Sequence, residues 1–87
     1  RPVEEQLVTP ELWRVRVTKP KGYKPPATYS PSLASSMRYL IRGYPMPEPV
    51  IVHFFSAQTA HNQAVMARKA GLHAVIIPCA VVELDPL

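Results

Sequence analysis

Hydrophobic and polar positions first fall into a regular pattern at Leu12. From there to Thr18, LWRVRVT puts Trp13, Val15 and Val17 on one face and Arg14, Arg16 and Thr18 on the other, the period of a half-buried strand. The preceding residues 1–11, RPVEEQLVTPE, carry two prolines and little pattern, and read as an extended or partly ordered arm. Lys19 to Tyr29, KPKGYKPPATY, is too polar and too broken by proline for regular structure and is expected to be a long exposed loop. Ser30 followed by Pro31 is an N-cap hydroxyl before the residue best tolerated in a first helical turn, and Gly43 stands where the helix should stop. The expected first helix is 31–42, with Leu33, Met37, Leu40 and Ile41 as its buried stripe. Residues 49–55, PVIVHFF, are apolar on both faces, which predicts a central strand covered on both sides, or one with a face kept for a partner. Ala57 to Ala70 follows as a second helix, capped by Ser56 or Thr59 and ended by Gly71. Its small residues Ala57, Ala60, Ala64, Ala67 and Ala70 let it lie close to a sheet, with Val65 adding bulk. Residues 73–84, HAVIIPCAVVEL, read as a third strand with Pro78 as a bulge or bend. The order β-α-β-α-β predicts a two-layer α/β sandwich, a single domain over residues 12–87.

Composition adds bounds to this picture. With 47% apolar and 18% charged residues the chain is globular, yet 87 residues bury a modest core and leave a thin stability margin. The 11 prolines fall almost entirely between the apolar segments, where a missing N–H does no harm. Cys79 has no partner within the chain and lies in an apolar run, so a buried, inert thiol in an intracellular reducing compartment is expected. No apolar run approaches the roughly 20 residues of a membrane span, and the N-terminus lacks the layout of a secretory signal. A soluble protein without membrane contact is therefore expected. The start at Arg1 fits either a mature mitochondrial or plastid protein after removal of a transit peptide, or an arbitrary first residue.

Charge changes the picture more. Between Glu11 and Glu48 there is no acid, while Arg14, Arg16, Lys19, Lys21, Lys24, Arg38 and Arg42 all fall in that interval, so one side of the molecule should be positive. Lys19, Lys21 and Lys24, with Tyr23 and Tyr29 between and beyond them, combine phosphate-seeking charges with rings that can stack on unpaired bases. The plainer reading is a solvated loop. Arg14 and Arg16 extend the same surface or merely blunt a sheet edge, whereas Arg38 and Arg42 are more often an ordinary wet helix face than a part of that surface. Asn62, beside Gln63, either reads a base edge or packs against a neighbouring loop. His53, His61 and His73 are spaced 8 and 12 apart, without a Cys or acid in a ligand pattern, so no metal or cofactor is expected. No Gly-rich phosphate loop, carboxylate pair or Ser-His-Asp order appears, and an enzyme is the least supported class.

The stretches SPSLASSMRYLIRG, HNQAVMARKAG and IIPCAVVELD, in this order, resemble the stage V sporulation protein S family of Alba-like folds. Asn62-Gln63-Ala64-Val65, Ala67-Arg68 and Ile77-Pro78 carry most of the likeness, which spans about Val15 to Asp85. What the resemblance implies is a small nucleic-acid-binding or nucleic-acid-associated domain that often self-associates. Two features depart from the pattern: the chain ends where a fourth strand would begin, and Met66 stands where the family tends to place a lysine.

The expectation is thus a small basic RNA- or DNA-binding protein of low sequence specificity, RNA before DNA. Its rival is a structural subunit of a large ribonucleoprotein such as an organellar ribosome, held by protein partners or by self-association through an open sheet edge.

Overall fold

The computed structural model describes residues 10–79. The elements follow the expected order: β1 (Leu12–Thr18), α1 (Ser35–Ile41), β2 (Val50–Phe54), α2 (Ala57–Lys69) and β3 (His73–Cys79). The strands form an antiparallel sheet in the order β2-β1-β3, with both helices on one face, a two-layer α/β sandwich. The expected arm, apart from Pro10 and Glu11, and the end of the expected third strand lie outside the described residues.

β1 occupies the centre, and this corrects the expectation that the second strand is central. Trp13, Val15 and Val17 face the helices with Phe54, Val52 and Val50 of β2 beside them on one side and Pro78, Ile76 and Ala74 of β3 on the other. β2 reads as apolar on both faces because the opposite sheet face carries no helix at all among the described residues, so Ile51 and Phe55 stay exposed there rather than being covered. Pro78 makes no bulge: the β1–β3 register runs one-to-one from Leu12↔Cys79 to Thr18↔His73. Among the described residues β3 is an edge, and an edge strand tolerates a missing N–H on its outer side.

The first helix is shorter than its sequence signature. It begins at Ser35, not Pro31, because residues 30–34 form a turn: the Ser32 N–H donates to the Ser30 Oγ (3.2 Å) and the Leu33 N–H to the Ser30 carbonyl (3.3 Å). Ala34 is the N-cap, in extended conformation and with no side-chain cap of its own. Gln63 of α2 compensates. Its buried amide accepts from the Ala34 N–H (2.9 Å) and donates to the Ser32 carbonyl (2.8 Å), so a side chain from one helix supplies backbone-like pairing for the entry of the other.

Both helices end in the same way. Gly43 and Gly71 take positive φ (86° and 90°), Tyr44 N–H reaches the Tyr39 carbonyl and Leu72 N–H the Ala67 carbonyl, which are the bonds of Schellman closures. Ser56 is the α2 N-cap, its Oγ accepting from the Thr59 N–H at 3.3 Å. α2 lies close to the sheet through Ala60, Ala64, Ala67 and Ala70, all buried, while Ala57 is exposed and Val65 points to the outer side. Leu33, Met37, Leu40 and Ile41 form the α1 contribution to the core as its periodicity predicts.

Candidate nucleic-acid interface

The topology gathers charge at one end of the sandwich. β1 ends there at Thr18, and β2 and β3 begin there, since Thr18 pairs with His73 and Val17 with Val50. Both helices also finish there: Leu40, Ile41 and Gly43 line a groove with Lys19, Pro20 and Tyr23, and the Tyr23 hydroxyl donates to the Ala70 carbonyl at 2.7 Å. This pole therefore carries Lys19, Lys21 and Lys24 from the loop, Arg42 from the end of α1, and Arg68 and Lys69 from the last turn of α2. Cations at helix C-termini also sit favourably against the negative end of the helix dipole. The acid here among the described residues is Glu48, whose carboxylate accepts from the Lys19 backbone N–H at 3.0 Å, leaving the Lys19 ammonium uncommitted by that bond. The groove beside it has a volume of about 520 Å³.

The loop is not loosely solvated along its whole length. Tyr23 and Tyr29 pack against the core, and their hydroxyls are engaged, Tyr23 with Ala70 and Tyr29 accepting from Arg42 Nε at 2.7 Å. Burial pushes the Tyr23 hydroxyl above its ordinary pKa. Arg42 is shifted upward too, first by its hydrogen bond to Tyr29 and then by the charge interaction with that hydroxyl, so the guanidinium is a fixed cation whose direction is set by the loop. Tyr29 also borders a hollow with Met66, Lys69 and Ala70, which draws Arg42 and Lys69 toward a common region.

A different pair of rings is presented to solvent. Tyr39 and Tyr44 stack with centroids 5.2 Å apart and planes inclined by 22°, yet remain 41% and 51% exposed. Their stacking is the side-chain contact that accompanies the closure of α1, and it places two ring faces beside Arg42 at the rim of the basic pole.

The remaining sequence candidates lie elsewhere. Arg14 and Arg16 stand on the helix-free face of the sheet, flanked by Ile51, His53, Val75 and Ile77, and Arg14 Nε donates to His53 Nε2 at 3.2 Å. Arg38 turns inward along its own helix start, donating to the Leu33 carbonyl (3.0 Å) and the Ser35 hydroxyl (3.0 Å). Asn62 accepts from Gln58 on the outer side of α2, beside a hollow with Ser32, His61, Val65 and Met66. The sites inferred from the sequence are thus divided among the pole, the open sheet face and the helix layer.

Sequence reasoning missed Arg68 and Lys69 as members of the basic surface, and Tyr39 and Tyr44 as the accessible rings. The first pair sat in plain view before Gly71, in the last turn of a helix; the second needed the closure geometry that brings positions five apart into contact. Cys79 is half-buried on the edge strand, not fully buried, with Sγ 3.4 Å from the Ile77 carbonyl. His53, His61 and His73 stand on β2, α2 and the start of β3, and among the described residues no three His, Cys, Asp or Glu converge to hold a metal ion. Among the same residues no helix is long and apolar enough to cross a membrane. No family model, no curated protein and no solved structure matches this chain.

Proposed function

We propose that this domain binds single-stranded nucleic acid, RNA in particular, through the basic pole, with low sequence specificity. The observation that carries the reading is the convergence of Lys19, Lys21, Lys24, Arg42, Arg68 and Lys69 at the end of the sandwich where the exposed Tyr39–Tyr44 pair also lies. The lysines, on flexible stems, and the guanidiniums of Arg42 and Arg68, held by Tyr29 and by the Ala74 carbonyl, neutralise phosphates without reading sequence, and ring faces stack on any base. A duplex hides its base faces, so the exposed rings favour single strands. The likeness to the stage V sporulation protein S family points the same way.

A titration against fluorescein-labelled single-stranded RNA, at salt from 50 to 300 mM, tests this. Each phosphate contact contributes roughly 0.7 to the slope of log affinity against log salt for a single strand. Changing Lys19, Lys21 and Lys24 together to alanine should flatten that slope by about 2. Affinity that ignores salt, or a slope that the triple change leaves intact, would remove the pole from consideration.

The second reading, a structural subunit of a larger assembly, is favoured by a separate observation: among the described residues the sheet face away from the helices is uncovered and mixes Arg14 and Arg16 with exposed Ile51, Val75 and Phe55. An exposed apolar patch of this kind is usual where another macromolecule packs. The two readings coexist in a ribonucleoprotein, where the pole would meet RNA and the sheet face protein.

A further inference from the structure

Attraction to phosphate alone would not place an acid at the basic pole. Of the two acids among the described residues, Glu11 stands at the far end of β1 and Glu48 at the pole itself. Continued past Val17↔Val50, the β1–β2 register sets Lys19 opposite Glu48, and there the Glu48 carboxylate, not a backbone carbonyl, accepts from the Lys19 N–H at 3.0 Å. That bond fixes the carboxylate beside the groove. It uses one of roughly four lone-pair positions, so the group still accepts from a ligand. A fixed negative charge here repels phosphate and lowers affinity for any nucleic-acid backbone. Its chemistry calls for a donor.

The groove around it is shaped and open. Pro20 to Tyr23 is a turn closed by the Tyr23 N–H on the Pro20 carbonyl (3.1 Å), with Gly22 at the position that takes positive φ (75°). The bond from the Tyr23 hydroxyl to Ala70 holds this wall in place. The buried Leu40 and Ile41 close the back, and Pro20 and Pro25 add apolar rings to the lining. At Gly22 and Gly43 nothing lies within 4 Å of where a Cβ would stand, so the backbone there is open to close approach. The volume of about 520 Å³ falls among those of sites that hold small organic molecules, on the order of 300–1,000 Å³.

We propose that this groove takes one guanine base of the strand bound at the basic pole, an inference that rests on the single-strand reading. Guanine alone among the bases sets two donors, N1–H and the N2 amino group, side by side on its Watson–Crick edge, an edge that an unpaired base presents. A carboxylate accepts and cannot donate, so its two oxygens match that pair. Adenine and cytosine place a ring-nitrogen acceptor beside their amino group, and uracil flanks its N3–H with two carbonyls, all of which a carboxylate repels. Lys19, on the same lining, supplies a donor for the guanine O6 next to N1–H. Lys21 and Lys24 remain for the flanking phosphates. The strand is then read at one position and held without reading elsewhere, which keeps overall specificity low.

Fluorescence anisotropy with labelled oligouridine of about nine nucleotides, with and without a single central guanosine, tests this at fixed salt. The wild-type chain should bind the guanosine strand about tenfold more tightly, the scale on which a bidentate pair discriminates among bases. Inosine in place of guanosine lacks the amino group and should lose most of that preference. Deoxyguanosine should keep it, since the site reads the base and not the 2′-OH. Glu48→Gln, whose amide oxygen can still accept from Lys19, should lose the preference and should raise affinity for oligouridine, because a charge that repels phosphate is gone. Circular dichroism confirms that the variant is folded, and the inosine strand puts the same question to the unaltered chain. A preference that survives inosine or Glu48→Gln, or that disappears with deoxyguanosine, overturns the proposal, as do equal wild-type affinities for the guanosine strand and oligouridine. In that last case the basic pole keeps its function, whereas a chain that binds neither strand removes both readings.

Discussion

Changing Gln63 to alanine is the most revealing test of how this fold is held. Gln63 is 8% exposed and its amide makes two short bonds to the turn that leads into α1, accepting from Ala34 and donating to Ser32. A hydrogen bond of this type contributes about 1 kcal/mol net, and a buried group left without its partner costs a further 1–3 kcal/mol. The Ser32 carbonyl lies on an exposed residue and can recover water, whereas Ala34 is half-buried and its N–H recovers less. The loss expected for Gln63→Ala is therefore about 2–3 kcal/mol, a large share of the stability of a domain this small. At roughly 4–8 °C per kcal/mol for a chain of this size, Tm should fall by about 10–20 °C. Gln63→Glu sharpens the reasoning, since a carboxylate can accept from Ala34 but repels the Ser32 carbonyl. It should be at least as destabilised as the alanine variant at pH 7. It should recover as the pH falls, because burial favours the protonated carboxyl, which can donate to Ser32. Urea denaturation followed by circular dichroism, with hydrogen exchange at the Ala34 amide, measures both. A Gln63→Ala variant within about 0.5 kcal/mol of wild type would refute the view that this amide stands in for backbone pairing.

Other outcomes follow from the same geometry. Tyr39→Ala and Tyr44→Ala should each weaken single-stranded RNA binding by about 1–3 kcal/mol for the base they stack, while the phenylalanine variants retain it; a filter-binding assay checks this, alongside melting curves that register the loss of the α1 closure contact. The Tyr23 hydroxyl is pushed above its ordinary value, so the folded chain resists ionisation that the unfolded chain undergoes, and stability is full below pH 10 and falls as the pH rises through the folded value. Tyr23→Phe should abolish that alkaline loss and, by breaking the 2.7 Å bond to Ala70, lower stability at neutral pH by about 1 kcal/mol in urea titrations. Gly71→Ala should cost about 1–2 kcal/mol from its φ of 90°, and more because the new Cβ would lie 3.1 Å from the Tyr23 ring, so its combination with Tyr23→Ala should be less than additive in thermal melts.

Local pattern was enough to place most of the elements. The alternation of LWRVRVT, the stripe Leu33-Met37-Leu40-Ile41 and the two stops at Gly43 and Gly71 are encoded in adjacent positions, because strand and helix periods and left-handed closures depend on neighbours a few residues apart. The acid-free interval from residue 12 to 47 likewise announced a basic surface before any coordinates.

What needed the tertiary structure is everything that depends on residues far apart in sequence. The apolar run of β2 looks the same whether it is a centre covered twice or an edge with one bare face, and the register with β1 alone decides for the edge. The start of α1 looked like Ser30 capping Pro31, but Gln63, 29 residues beyond Ala34, competes for the turn and holds it out of the helix. Tyr23 and Tyr29 carried the same aromatic signature as Tyr39 and Tyr44, and only packing separated rings spent on the core from rings left in solvent. Charge was legible in the sequence because every lysine and arginine reports itself. Its gathering at one pole was not, because that follows from where two helices end and three strands turn, and contacts between distant segments set those ends.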